Sequence, residues 1–445
     1  MRIKIALSLL LVACSLRVAP AQGTVTMGQA VRYGLRHNLL LKEDGQRLRA
    51  AQARVRMAKS GHFPQINARY FLQRSNNPLN AFAGKLDTRS VNPATDFTAS
   101  ALNDPGASTL GTTEIALELP IYTGGKLSAA IRGARDDEQA ATLGMGRLRQ
   151  QTVFQIIRAY LTAQAAIHGR QIADAAVAAA RGHVETTRRL VREGRIVVSD
   201  RMTAELNLAA LEGQRAKAAD RVHLALDHLK LAMGMPVDDP IALPPWQEPV
   251  AEPLDPLPVL EQQALSGRKD LQAAHSMISA SSAAVDEARA AFRPHVSLIA
   301  SSDWYSHHFG FAANSQSIMG VVTMNLFSGD HDSQALDAAR DRKTEYELRV
   351  LNQRQAVLNE VRAAYFGVQE ALDRQQIAAT NVARARETVR LVKKRYGEGR
   401  TILLDVLNAE QLLVAARDEK LVSSLDLAIN QAALKLADGS LVNPQ

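Results

Sequence analysis

The sequence predicts a mixed fold in which long α-helical rods join strands of a transmembrane β-barrel, built by using one helix-strand-strand-helix-helix unit twice. Three observations carry that expectation. The chain is internally duplicated, four alternating segments end in aromatic residues, and several proline-free helical runs are too long for a compact globule.

The duplication can be read directly. Leu119-Pro120-Ile121-Tyr122-Thr123-Gly124-Gly125 leads into a helical pattern, and Met324-Asn325-Leu326-Phe327-Ser328-Gly329 does so 205 positions later. At that spacing Ala159-Tyr160 matches Ala364-Tyr365, Glu193-Gly194-Arg195 matches Glu398-Gly399-Arg400, Asp200 matches Asp405, and Lys230-Leu231-Ala232 matches Lys435-Leu436-Ala437. Upstream the spacing becomes 230, pairing Val55, Ala58 and Pro64 with Val285, Ala288 and Pro294. The first copy therefore carries 25 extra residues, and the Asn-, Pro- and Ser-rich stretch from Ser75 to Ser108 takes them as a long exposed loop.

Residues 1–21 read as a secretion signal, with Arg2 and Lys4, an apolar run from Ile5 to Val12, and the small residues Ala19-Pro20-Ala21. The first copy, 22–234, begins with a helix over 27–62. A strand over about 65–74 follows, placing Ile66, Ala68, Tyr70 and Leu72 on one face and Asn67, Arg69 and Gln73 on the other. The second strand, about 113–122, sets Ile115, Leu117, Leu119 and Ile121 against Glu114 and Glu118. Helices over 126–193 and 199–234 complete the copy. Residues 235–257 are a linker, because eight of the sixteen prolines fall within 235–258. The second copy, 258–439, repeats the plan with a helix over 258–291, strands over about 295–305 and 317–327, and helices over 330–396 and 402–438. Residues 440–445 form a tail.

Strands of about ten residues are long enough to cross a bilayer at a tilt. Alternation alone also describes a half-buried hairpin of a soluble sheet. The aromatics favour the membrane strands: twelve of the twenty Phe, Tyr and Trp residues lie in 63–122 and 292–327, gathered at strand ends as in the girdles of membrane barrels. The run over 126–193 would form a rod of about 100 Å, which no compact globule needs.

Several classes are excluded. No segment beyond the signal approaches the ~18 apolar residues of a membrane-spanning helix. Net charge is +8, falling to +5 without residues 1–21, and no basic patch is interleaved with aromatics, so nucleic acid is not a partner. Cys14 is the single cysteine, so the mature chain has no disulfide. No nucleophile elbow or phosphate loop occurs, and Gly144-Met145-Gly146 falls inside a helical run. His307, His308 and Asp303 read as loop-tip surface, and His223 and His228 do not share a helix face. The expectation is no enzyme, no cofactor and no metal. The rival class is a non-pore coiled-coil structural or envelope-tethering protein, which would lack the girdled strands and the repeated strand-to-helix junction.

Four strands cannot close a barrel, and open edges are not tolerated in lipid, so one chain supplies part of a ring. At the junctions Pro120, Tyr122, Gly124, Gly125, Phe327 and Gly329 turn the wall from sheet to helix. The sequence resembles the TolC-type outer-membrane efflux protein family. The resemblance covers essentially the whole mature chain. It rests on the junction stretch 119–125, the strand entries Phe63-Pro64-Gln65-Ile66 and Arg293-Pro294-His295-Val296, and Arg395-Tyr396-Gly397-Glu398-Gly399 followed by Leu404-Asp405-Val406-Leu407.

The resemblance implies a homotrimer with a 12-stranded barrel in outer-membrane lipid above a 12-helix barrel in the periplasm of a Gram-negative bacterium. It implies a passive exit duct docked onto a periplasmic adaptor (membrane fusion) protein and an inner-membrane pump. The helix turns at Glu193, Gly194 and Arg195 and at Glu398 and Gly399 would be the adaptor-docking tips. Asp405 would form the pore constriction, with Asn408 standing where the family has a second aspartate. Asp200 and Tyr396 match the family's gate latch, whose arginine aligns with Thr401 while Arg400 sits one position earlier. A plainer reading makes Asp200 and Asp405 helix caps. Leu11-Val12-Ala13-Cys14 also has the form of a lipidation box. The first helix would start about 54 Å below the membrane, however, beyond the ~45 Å that thirteen residues span, so cleavage after Ala21 is expected instead.

Overall fold

The computed structural model describes residues 24–441. The expected signal 1–21, Cys14 and residues 442–445 of the expected tail lie outside them. The element order is α1 (Met27–His37), α2 (Leu39–Ser60), β1 (Gln65–Ser75), α3 (Pro78–Asp87), α4 (Pro93–Asp96), α5 (Ala99–Asn103), β2 (Ser108–Tyr122), α6 (Lys126–Arg192), α7 (Val198–Met233), α8 (Leu257–Gly267), α9 (Lys269–Arg289), β3 (His295–Ser306), β4 (Ala313–Thr323), α10 (His331–Gly397) and α11 (Leu403–Ala437). The helices α6 and α10 have 67 residues each. Among the described residues no helix is long and apolar enough to cross a membrane.

The chain forms two compact units, and these do not coincide with the two copies. One comprises Leu40–Leu148 and Pro258–Glu360; the other comprises residues up to Leu39, Arg149–Leu257 and those from Val361 onward. Each unit therefore draws on both copies.

The first unit holds a single antiparallel sheet in the order β1-β2-β3-β4. The register pairs Ile66 with Leu117, Leu117 with Ala300 and Ala300 with Ile318, so one face gathers apolar residues from all four strands, while Phe71, Ile299, Met319 and Val321 lie on the other. Arg69, Glu114, Asp303 and Ser315 are paired in the same way on the opposite face, and Arg69 bonds Glu114 at 3.2 Å. On the apolar face Ile66, Leu72, Ile318 and Val322 remain exposed, which is the reverse of what water selects. The ladder shifts register between Pro120 and Tyr122, as expected where proline has no N–H to donate.

The second unit is cored by Val31, Val153, Ile156, Tyr160, Leu229 and Met233. The linker after α7 is irregular and is tied down by hydrogen bonds. Val25 N–H donates to Ala242 O at 2.8 Å, Gln164 donates to Pro244 O at 3.0 Å, and Lys435 pairs with Glu252 at 2.7 Å.

β2 begins at Ser108, five residues before the expected start, because it pairs along the whole of β1, and Asp303 lies inside β3 and not at a loop tip. The structure differs from expectation in three further places. First, the helices expected over 27–62 and 258–291 are each broken, at Asn38 and Arg268, which stand 230 positions apart as the duplication requires. Both have extended backbones, with ψ 128° and 123°. The Asn38 side chain donates to Ala232 O at 2.9 Å, while Arg268 enters a charge cluster. Tertiary partners impose these breaks, and no proline announces them. Second, the loop 75–108 contains three helices. Asn77 caps α3 and Asn92 caps α4, each followed by Pro at the first helical position, and Thr98 caps α5. Asp96 fastens them, accepting from Lys85 at 2.6 Å and from Asn92 N–H at 2.7 Å. Third, the fourth strand runs over 313–323 instead of 317–327. It can pair only as far as β3 reaches, and His295, paired with Thr323, begins β3, so Met324, Leu326 and Phe327 have no partner strand.

Candidate functional site

The two helix turns are built identically. At the end of α6, Gly194 has φ 67°, its N–H bonds Val191 O, and the Arg195 N–H reaches back to Leu190 O at 2.9 Å. At the end of α10, Gly399 has φ 68°, its N–H bonds Tyr396 O, and Arg400 N–H reaches Arg395 O at 2.8 Å. This is the left-handed glycine cap that satisfies the last carbonyls of a helix. Glu193 pairs with Arg195 at 3.7 Å and Glu398 with Arg400 at 3.3 Å.

The aspartates are not caps. The residues preceding α7 and α11 are Val197 and Ile402, neither of which caps through its side chain, so Asp200 and Asp405 lie in the first helical turn. Acidic residues there favour the helix dipole. Asp405 accepts a hydrogen bond from the Thr401 hydroxyl. Leu403, Val406 and Leu407 are buried, while Asp405 and Asn408 lie one turn apart and both face outward.

Tyr396 packs on a cluster formed by Val184, Ala204, Leu403 and Leu407. Burial first, and then the Asp200 charge, push its hydroxyl above the ordinary tyrosine value. The structure thus brings Tyr396 and Asp200 together within one chain. Within the chain Arg400 pairs with Glu398 and the Thr401 hydroxyl donates to Asp405.

One feature of the turns was not expected. Glu410 of α11 contacts His183 of α6 at 2.9 Å and Lys393 of α10 at 2.6 Å. Burial opposes its charge, but the bonds from His183 and Lys393 hold its carboxyl below the ordinary value. In the first copy Glu205 pairs with Arg188 at 3.0 Å. Glu205 matches Glu410 and Arg188 matches Lys393 at the same 205-residue spacing, and that paired recurrence was the available signal.

At the strand-to-helix junctions, Thr123 Oγ1 accepts from Leu127 N–H at 3.2 Å and Ser328 Oγ from Asp332 N–H at 3.2 Å. Tyr122 ends β2, and Pro120 sits at the register shift. Gly124, Gly125 and Gly329 all have positive φ. The two junctions differ in crowding. A Cβ on Gly124 would lie 2.8 Å from Arg293 Cβ and 2.9 Å from Ala290 O, whereas none of the surroundings of Gly329 come within 4 Å. Gly124→Val is therefore expected to lower the amount of folded protein recovered in outer-membrane fractions at least tenfold. Gly329→Ala meets only the left-handed backbone penalty of about 1–2 kcal/mol and is expected to be recovered at near the parent level. Equal behaviour of the two variants would remove the crowding argument.

The family described as Outer membrane efflux protein matches residues 34–235 and 260–440, one segment in each copy. The chain belongs to this family. Proteins similar to it include the alkaline protease secretion protein AprF of Pseudomonas aeruginosa, 24% identical over 66% of this chain and 62% of AprF. The multidrug resistance outer membrane protein MdtQ of Escherichia coli O157:H7 is 23% identical over 80% of this chain and 73% of MdtQ. The fold matches the Campylobacter jejuni CmeC outer membrane channel with a TM-score of 0.80 at 17% identity, covering 99% of this chain and 94% of that one. The match to AprF spans less than two thirds of that protein. As an outer membrane efflux protein, the chain is placed in the outer membrane of a Gram-negative bacterium.

Proposed function

We propose that three copies of the chain close a 12-stranded barrel in the outer membrane and that the long helices form a periplasmic duct beneath it. Substrate would pass through passively, delivered by an inner-membrane pump through a periplasmic adaptor. The observation that carries this reading is the two-faced four-stranded sheet, which has β1 and β4 as its open edges. Its exposed apolar face suits lipid, and the face bearing Arg69, Glu114 and Asp303 suits a water-filled lumen. In hydrocarbon the free edges need strand partners, and head-to-tail repetition of the chain supplies them.

In this reading Glu193, Gly194, Arg195, Glu398 and Gly399 meet the adaptor, Asp405 lines the narrowest point with Asn408 one turn deeper, and Tyr396 with Asp200 belongs to the gate. The relatives' names include protease secretion and multidrug resistance, so cargo is assigned to the pump the duct serves. Native mass spectrometry of the detergent-extracted protein is expected to show a trimer. A monodisperse monomer would remove the basis for a closed barrel.

A further inference from the structure

In the second unit a cavity of about 390 Å³ lies between α6, α10, α11 and the linker. Its polar wall carries Arg386 from α10 and Arg417 and Lys420 from α11, and its linker wall carries Trp246 and Glu248. Lys420 and Glu248 satisfy each other at 3.0 Å. Among the described residues neither Arg386 nor Arg417 has a hydrogen bond or ion pair. Two guanidinium groups thus share one cavity with no carboxylate assigned to them, an arrangement that an incoming anion relieves. Trp246 is held by packing against the core cluster of this unit, so the indole is a fixed wall.

We propose that this cavity binds an organic anion, specifically a carboxylate carried on an aromatic ring. The planar guanidinium fork matches the two oxygens of a carboxylate. The Trp246 indole offers a face or edge to an aromatic body, and Ile172 and Leu421 supply apolar lining. The volume falls in the range of small-molecule sites. A bound ligand would tie the linker to α10 and α11. The proposal does not depend on barrel closure, since every residue it uses belongs to one unit of one chain.

The chain has two tryptophans, Trp246 and Trp304, so Trp304→Phe leaves Trp246 as the single reporter. Benzoate titrated into the full-length Trp304→Phe protein, with excitation at the red edge of indole absorption, is expected to change Trp246 emission saturably. Benzyl alcohol, of the same shape but neutral, is expected to change nothing. Arg386→Gln and Arg417→Gln should each weaken benzoate binding by about tenfold, with assembly of each variant checked by native mass spectrometry. Glu248→Gln keeps both arginines and frees Lys420, so it should tighten binding. An equal response to benzyl alcohol would show an apolar cleft only, and equal affinity for inorganic phosphate would show a plain anion site. Either result overturns the proposal, as does unchanged binding in the Arg386→Gln/Arg417→Gln double variant or weaker binding in Glu248→Gln.

Discussion

Asp405→Ala is expected to lose block by trivalent cations added at the periplasmic side of the channel in planar bilayers, and with it most of the cation preference. The carboxylate stands in the first turn of α11 on the outward face, while its neighbours Leu403, Val406 and Leu407 are buried. In the proposed trimer three such groups converge. Like charges held close repel one another, and a multivalent cation relieves that repulsion far better than a monovalent one. Asn408, one turn on, is exposed but neutral and cannot compensate. The substitution also removes the bond from Thr401 and a favourable charge at the helix start, worth about 0.3–1 kcal/mol. That is too little to disturb assembly, so conductance and oligomer should persist. Asp405→Asn separates charge from shape and should behave like alanine. Unchanged block in both variants would return Asp405 to a purely local role at the helix start.

Arg268→Ala is expected to cost about 3–5 kcal/mol, the scale for removing one partner of a buried ion cluster. The Arg268 side chain is 3% exposed and bonds Asp270 at 2.6 Å and Glu360 at 2.5 Å, and Arg147, 8% exposed, stands 3.6 Å from Asp270. Asn38→Ala, at the matching break in the first copy, removes neutral hydrogen bonding, including the bond to Ala232 O, and should cost less, about 1–2 kcal/mol. Urea-induced loss of helicity in detergent measures both. The pH dependence has a definite sign. Burial works against the Asp270 charge, but the bonds and charge of Arg268, together with Arg147, hold its carboxyl below the ordinary value. A lowered folded-state value gives stability that is present above the unfolded value of about 4 and is lost as pH falls through the folded one. The gap between wild type and Arg268→Ala should therefore be constant near neutrality and narrow only below about pH 4. Equal costs for the two variants would show that the charge cluster is no more than a neutral hydrogen bond.

Element type was largely legible from the residues because it depends on local periodicity. Alternation over Ile66–Leu72 and Ile115–Leu119, and proline-free runs leading to Glu193 and Glu398, specify strands and helices within a few residues. The short caps in the loop are local signals too, at Asn77-Pro78 and Asn92-Pro93, although composition alone marks this stretch only as an exposed loop. The repeat itself, down to Gly194 and Gly399, was written in the spacing. Other features depend on residues far apart in the chain. The break at Asn38 needs the carbonyl of Ala232, the end of β4 at Thr323 needs the start of β3 at His295, and the meeting of Tyr396 with Asp200 joins the two copies. The Glu410 carboxylate bonds His183, 227 positions away. The sequence by itself determined which segments are rods and strands and that the plan is used twice, because backbone sterics and hydrophobic period act between near neighbours. Only the tertiary structure decided where the rods break, where pairing stops, and which buried charges face one another, because those outcomes are set by partners that chain distance does not reveal.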